Sequence, residues 1–174
     1  NKSMKILNGI RFFFINNLIM IIFYTLSFST FEGIKEFPNL LIFSFNLQMI
    51  IVYFYILKFP DSLGTGHIFI GGIINDVVIG IPLGTSSLSF LTLAFFTSYI
   101  RNVTLRSKMG TEWITFIPAL FFSNFVYFIV INNFSHLSYY YIELLRSTFF
   151  TFLFFPIFYY LFNSYEKRML KINA

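Results

Sequence analysis

Within residues 71–84, GGIINDVVIGIPLG, one side chain could do chemistry, and that is Asp76. The nearest charged residue before it is Asp61 and the next after it is Arg101; everything between is apolar, small or uncharged polar. A carboxylate in that setting can relay a proton, hold a distant cation, or accept hydrogen bonds from backbone N–H groups freed where a helix breaks. Asn75 adds a neutral polar group on an adjoining helical face. Two more ionisable residues, Glu143 and Arg146, lie in another long apolar run. They are three apart, one turn on the same helical face, so they can pair with each other and snorkel to the headgroups, or Glu143 can share Arg146 with Asp76.

Elsewhere the chain offers no catalytic constellation. His67 and His136 fall far apart, and neither is followed at i+3 or i+4 by a second metal-ligating side chain. There is no Gly-Lys-Ser/Thr phosphate loop. Cysteine is absent, which removes disulfides, thiol chemistry and thiolate metal sites. The expectation is a protein that is not an enzyme and has no cofactor, no metal and no nucleic-acid partner.

The elements that must position Asp76 follow from the solvent. Of the 174 residues 57% are hydrophobic and only 11% charged, and the mean hydropathy is +0.75. Soluble domains carry about 25% charged residues, so lipid is the solvent this composition calls for. The 28 phenylalanines are read as generic lipid-facing bulk. Crossing the hydrocarbon core takes about 20 mostly apolar residues. Six segments qualify, roughly 12–31, 38–57, 64–81, 85–103, 113–133 and 140–162. Pro38 opens the second, where its missing N–H is no loss. The third is the weakest, because Gly64, Gly66, Gly71, Gly72 and Gly80 interrupt it, and Pro82 ends it. The basic run before the first span resembles a signal peptide, but its apolar run is long and no small-x-small site follows, so the span is read as retained.

Orientation comes from Lys and Arg. With the N-terminus in the cytoplasm, the inner regions hold Lys2, Lys5, Arg11, Lys58, Arg101, Arg106, Lys108, Lys167, Arg168 and Lys171, which is ten of the twelve basic residues. The fold class expected is therefore an all-α integral membrane protein with six transmembrane helices and both termini cytoplasmic. The net charge of +5 faces anionic lipid. Trp113 and Tyr99 fit an inner aromatic belt, and Tyr139, Tyr140 and Tyr141 an outer one.

In this topology Asp76 and Arg146 lie at similar depth near the outer side, so Arg146 is the expected partner of Asp76, with Glu143 beside it. Gly72, Asp76, Gly80 and Gly84 recur every four residues, a small-residue stripe that lets another helix approach closely. Pro82 and Gly84 stop the helix, and the N–H groups at the start of the next span offer themselves to a carboxylate.

Gly72, Asp76, Gly80, Pro82 and Gly84, followed by the Ser/Thr-rich run 85–89 and a basic end at Arg101, resemble the motif of the rod shape-determining MreD family. The resemblance implies a non-enzymatic, multi-pass subunit of the bacterial inner membrane that serves the cell-elongation machinery. Its implied partners are the scaffold MreC and, through it, the cytoskeletal MreB, the glycosyltransferase RodA and a class B penicillin-binding protein. The implied fold is similar to the substrate-binding subunits of energy-coupling-factor vitamin transporters. A rival reading makes the chain such a vitamin-binding subunit, although its first helix lacks the small-residue docking stripe of those proteins. A third is a proton-coupled or lipid-handling transporter centred on Asp76 and Arg146.

Overall fold

A computed structural model describes residues 17–28, 45–60, 63–103, 108–134 and 141–173. These residues are all-helical. The six helices are α1 (Asn17–Phe28), α2 (Leu47–Lys58), α3 (Thr65–Ile79), α4 (Thr85–Val103), α5 (Met109–Phe134) and α6 (Tyr141–Asn173). The chain 29–44, including Pro38, lies outside the described residues, as do Tyr139, Tyr140 and His136.

Helix α2 occupies the centre. Every residue from Gln48 to Leu57 is buried, as expected of a helix that is apolar all round. Around it stand α4, α5 and α6, with α3 against α4 and α1 joined to both α2 and α3 by side-chain hydrogen bonds. The core is aromatic: Tyr53 lies against Phe116 and Phe155, and Phe54 against Tyr159 and Phe162.

Three boundaries, and the continuity of α3, differ from the sequence reading. The span expected over 38–57 is not one unbroken helix. Asn46 takes an extended conformation, φ −99° and ψ 92°, and its side chain accepts a hydrogen bond from the Met49 N–H, so α2 starts at Leu47. An Asn side chain competes for backbone donors and so favours a cap over a helix interior. The glycines of α3 do not interrupt it. Gly71 receives the ring of Phe23 and Gly72 the backbone of Ser87, so both are sites of close approach inside a continuous helix. Helix α5 starts at Met109, earlier than Trp113, and runs through Pro118. Helix α6 continues to Asn173, past the end expected at 162, because no Gly or Pro occurs between Asn163 and Asn173. Its 33 residues make a rod about 50 Å long.

Two helical segments, Met109–Asn133 and Leu144–Arg168, are long and apolar enough to cross a membrane, by length and composition. The outer faces of the two long helices are apolar. Ile114, Ile117, Phe121 and Phe125 line the outer face of α5, and Leu145, Phe149, Leu153 and Ile157 that of α6. Hydroxyls and amides face inward: Ser89 meets Ser123 at 2.8 Å between α4 and α5, and Asn124 donates to Thr148 at 2.7 Å between α5 and α6.

Candidate functional site

The residues 71–84 fold into the end of α3, a turn, and the entry to α4. Helix α3 stops at Gly80, which takes the left-handed conformation at φ 77°. Its N–H and that of Ile81 both return to the Asp76 carbonyl, at 2.9 and 3.1 Å. Gly84 also has a positive φ, 95°. A side chain at either position would be strained, which is why glycines stand there. Pro82 accepts from both the Thr85 N–H and the Thr85 hydroxyl, at 3.2 and 2.6 Å.

Asp76 is fully buried. Its Oδ2 accepts from the Gly84 N–H at 2.7 Å and its Oδ1 from the Ser86 N–H at 2.8 Å. These are donors at the first turn of α4, where no earlier carbonyl of the helix can reach them and where the helix dipole favours a negative charge. Asp76 is thus a cap supplied from the preceding helix. Asn75 reinforces it by donating to Ser86 Oγ at 2.9 Å, and Ser87 Oγ donates to the Phe69 carbonyl at 2.9 Å. The entry to α4, Gly84 to Ser87, is held to α3 by polar contacts with Phe69, Asn75 and Asp76.

Two expectations need correcting here. Arg146 is not the partner of Asp76. Both carboxylate oxygens are engaged by α4, and Arg146 stands on α6, which packs on α5 and α2, whereas α3 packs on α4. Arg146 is half-buried, and its Nε is buried without a hydrogen bond. Glu143 lies in the first turn of α6, and its side chain lies outside the described residues. The small-residue stripe does not present a groove to the outside either. A Cβ on Gly72 would overlap the Ser87 backbone, so the space it leaves is filled by the chain's own α4, and Gly80 and Gly84 serve the turn.

No protein-family model, curated protein or solved structure matches the chain. The case for a function therefore rests on the geometry and on the motif.

Sequence reasoning missed a second polar cluster, at the end of the bundle where α2 and α4 finish and α5 starts. Lys58 forms an ion pair with Glu112, whose side chain is 2% exposed. Tyr53 Oη donates to the Glu112 carbonyl at 2.8 Å and lies 2.8 Å from Thr115 Oγ1. Arg101 Nη1 donates to the Ile56 carbonyl at 2.9 Å, one of the four that α2 leaves open at its end. By sequence Lys58 counts only among the inner basic residues, and Glu112 carries no signal of its own. The available signal was the pairing of opposite charges at the same end of two expected spans. Trp113 carries a related surprise. Its Nε1 donates at 2.9 Å to the Phe152 carbonyl, the group four residues before Pro156 that proline leaves without its helical donor.

Proposed function

We propose that the chain is a six-span subunit of the bacterial plasma membrane, with both termini in the cytoplasm. It works without chemistry of its own, coupling the MreC scaffold, and through it MreB, RodA and a class B penicillin-binding protein, to peptidoglycan synthesis. The membrane part of this reading is supported by the outward apolar faces of α5 and α6, by inward hydroxyl and amide pairs between helices, and by Lys58 and Arg101 at the same end of the bundle. In lipid, helix association relies on close packing and interhelical hydrogen bonds, and both are abundant here.

The observation that carries the partner role is the closed state of the Asp76 site. A ligand-binding or proton-relaying carboxylate needs access to water or to cargo. Asp76 has no exposed surface, and both its oxygens are held by backbone donors within one hairpin. The motif that resembles the MreD family's packs the chain's own α3–α4 hairpin, which supports a role without cargo or chemistry at this site.

One observation favours the second reading, a substrate-binding transporter subunit. The break at Asn46 lies inside the bundle, where its N–H donates to Thr151 Oγ1 at 2.8 Å and Gln48 donates to Ser27 Oγ at 2.8 Å. Non-helical backbone with polar neighbours at membrane depth recurs where it lines a site.

The test is co-purification of the tagged chain from its native membrane, followed by analysis of both captured protein and retained small molecules. Recovery of MreC in stoichiometric amount is the expected result. A retained small molecule with no MreC would replace the coupling role by the transporter reading.

A further inference from the structure

Helix α2 poses a problem of uniqueness. Apart from Tyr53 and Tyr55, its residues 49–57 are Met, Ile, Val, Phe and Leu, and all are buried. Turning or sliding such a helix exchanges one large apolar side chain for another against a lining that is itself mostly Phe and Leu. Cores chosen only for hydrophobicity lose uniqueness before they lose stability. Polar groups must therefore select one position: Tyr53, whose Oη is hydrogen-bonded to Glu112 and Thr115 of α5, stands in mid-helix, and the others stand at the two ends. At the start are the Asn46–Thr151 and Gln48–Ser27 hydrogen bonds. At the finish are Arg101 on the Ile56 carbonyl and the Lys58–Glu112 ion pair, with the Lys58 ammonium also 5.9 Å from the centre of the Tyr159 ring.

The ion pair is the most selective of these. Glu112 is almost wholly buried, and a slide of α2 by one turn, about 5.4 Å, would leave its charge without a counter-charge in a medium of low dielectric. Buried ion pairs often add little net stability over apolar residues of the same volume, yet losing one partner is strongly destabilising. We infer that the Lys58–Glu112 pair is a register clasp, which selects the rotation and axial position of α2 against α5 and contributes little to net stability. The inference does not depend on the membrane partner.

The full-length chain in detergent tests it, using thermal unfolding together with the methyl NMR signals of Ile50, Ile51 and Ile56, all three buried on α2. Lys58→Met, which strands the buried Glu112 carboxylate, should lower the unfolding midpoint by roughly 10 °C, and Glu112→Gln by clearly less, because the Lys58 side chain is 25% exposed. The double variant Lys58→Met with Glu112→Met should unfold within a few degrees of the wild type, while the three isoleucine signals split or broaden. Lys58→Arg should keep both the midpoint and the single sharp signals. Sharp single signals in the double variant would overturn the proposal. So would a double variant that loses as much as the two single variants together, or that fails to fold.

Discussion

The Asp76 carboxylate reaches ten residues ahead to accept the Ser86 N–H at 2.8 Å, while its other oxygen accepts from Gly84 at 2.7 Å. One side chain therefore ends one helix and starts the next. It supplies the N-terminal cap that the sequence of α4 does not place at the usual position, where Gly84 has no side chain to offer.

Replacing this side chain should cost stability in a graded way. Asp76→Leu leaves the buried Ser86 N–H and the part-buried Gly84 N–H unpaired and is expected to destabilise by roughly 2–5 kcal/mol. Asp76→Asn keeps one acceptor and turns an amide toward the other N–H, so about half that loss is expected. Thermal unfolding in detergent measures both, and a neutral Asp76→Leu would remove the cap from the account.

The α3–α4 approach makes an equally local prediction. Gly72→Ala drives a methyl group into the Ser87 backbone and should cost about 1–3 kcal/mol through overpacking. Gly66→Ala, whose added Cβ meets nothing within 4 Å, should be neutral or gain up to about 1 kcal/mol in helix propensity. The two variants compared by thermal unfolding separate packing from propensity.

A double-mutant cycle tests whether Asp76 and Arg146 communicate. With Asp76 engaged by α4, Asp76→Asn and Arg146→Gln should add to within about 0.5 kcal/mol. A coupling well above 1 kcal/mol would restore the direct partnership suggested by their similar depth in the sequence.

Trp113 and Pro156 should be coupled although they touch through a third residue. Trp113→Phe strands the Phe152 carbonyl and is expected to cost roughly 1–3 kcal/mol. In a Pro156→Ala background the restored N–H at 156 can take over that carbonyl, so the same Trp113→Phe change should cost clearly less. Equal costs in both backgrounds would show that the indole N–H is not compensating for the proline.

The proposed orientation is open to a labelling test, because the chain has no native cysteine. Leu83 and Lys108 are both exposed. Leu83→Cys should react with an impermeant thiol reagent from outside intact cells, and Lys108→Cys only after the membrane is opened. The reverse pattern would invert the topology.

Much of this was legible in the residues themselves. Helix class, the tight α3–α4 connection and the special standing of Asp76 follow from hydropathy, from Pro82 and the flanking glycines, and from a lone carboxylate in an apolar run. These are short-range consequences of chain chemistry. Which groups meet across long separations was decided by the tertiary structure. The expected topology sets Arg146 and Asp76 at similar depth, but depth says nothing of position around the bundle, and α6 packs beside α2 and α5 while α3 packs on α4. Gly72 could have served another protein's helix as well as its own, and only the packing assigns it to Ser87. Glu112 and Lys58, 54 residues apart, look like ordinary loop-edge charges until helix packing buries them together. A buried charge cannot stay alone, and the fold alone determines which opposite charge is within reach.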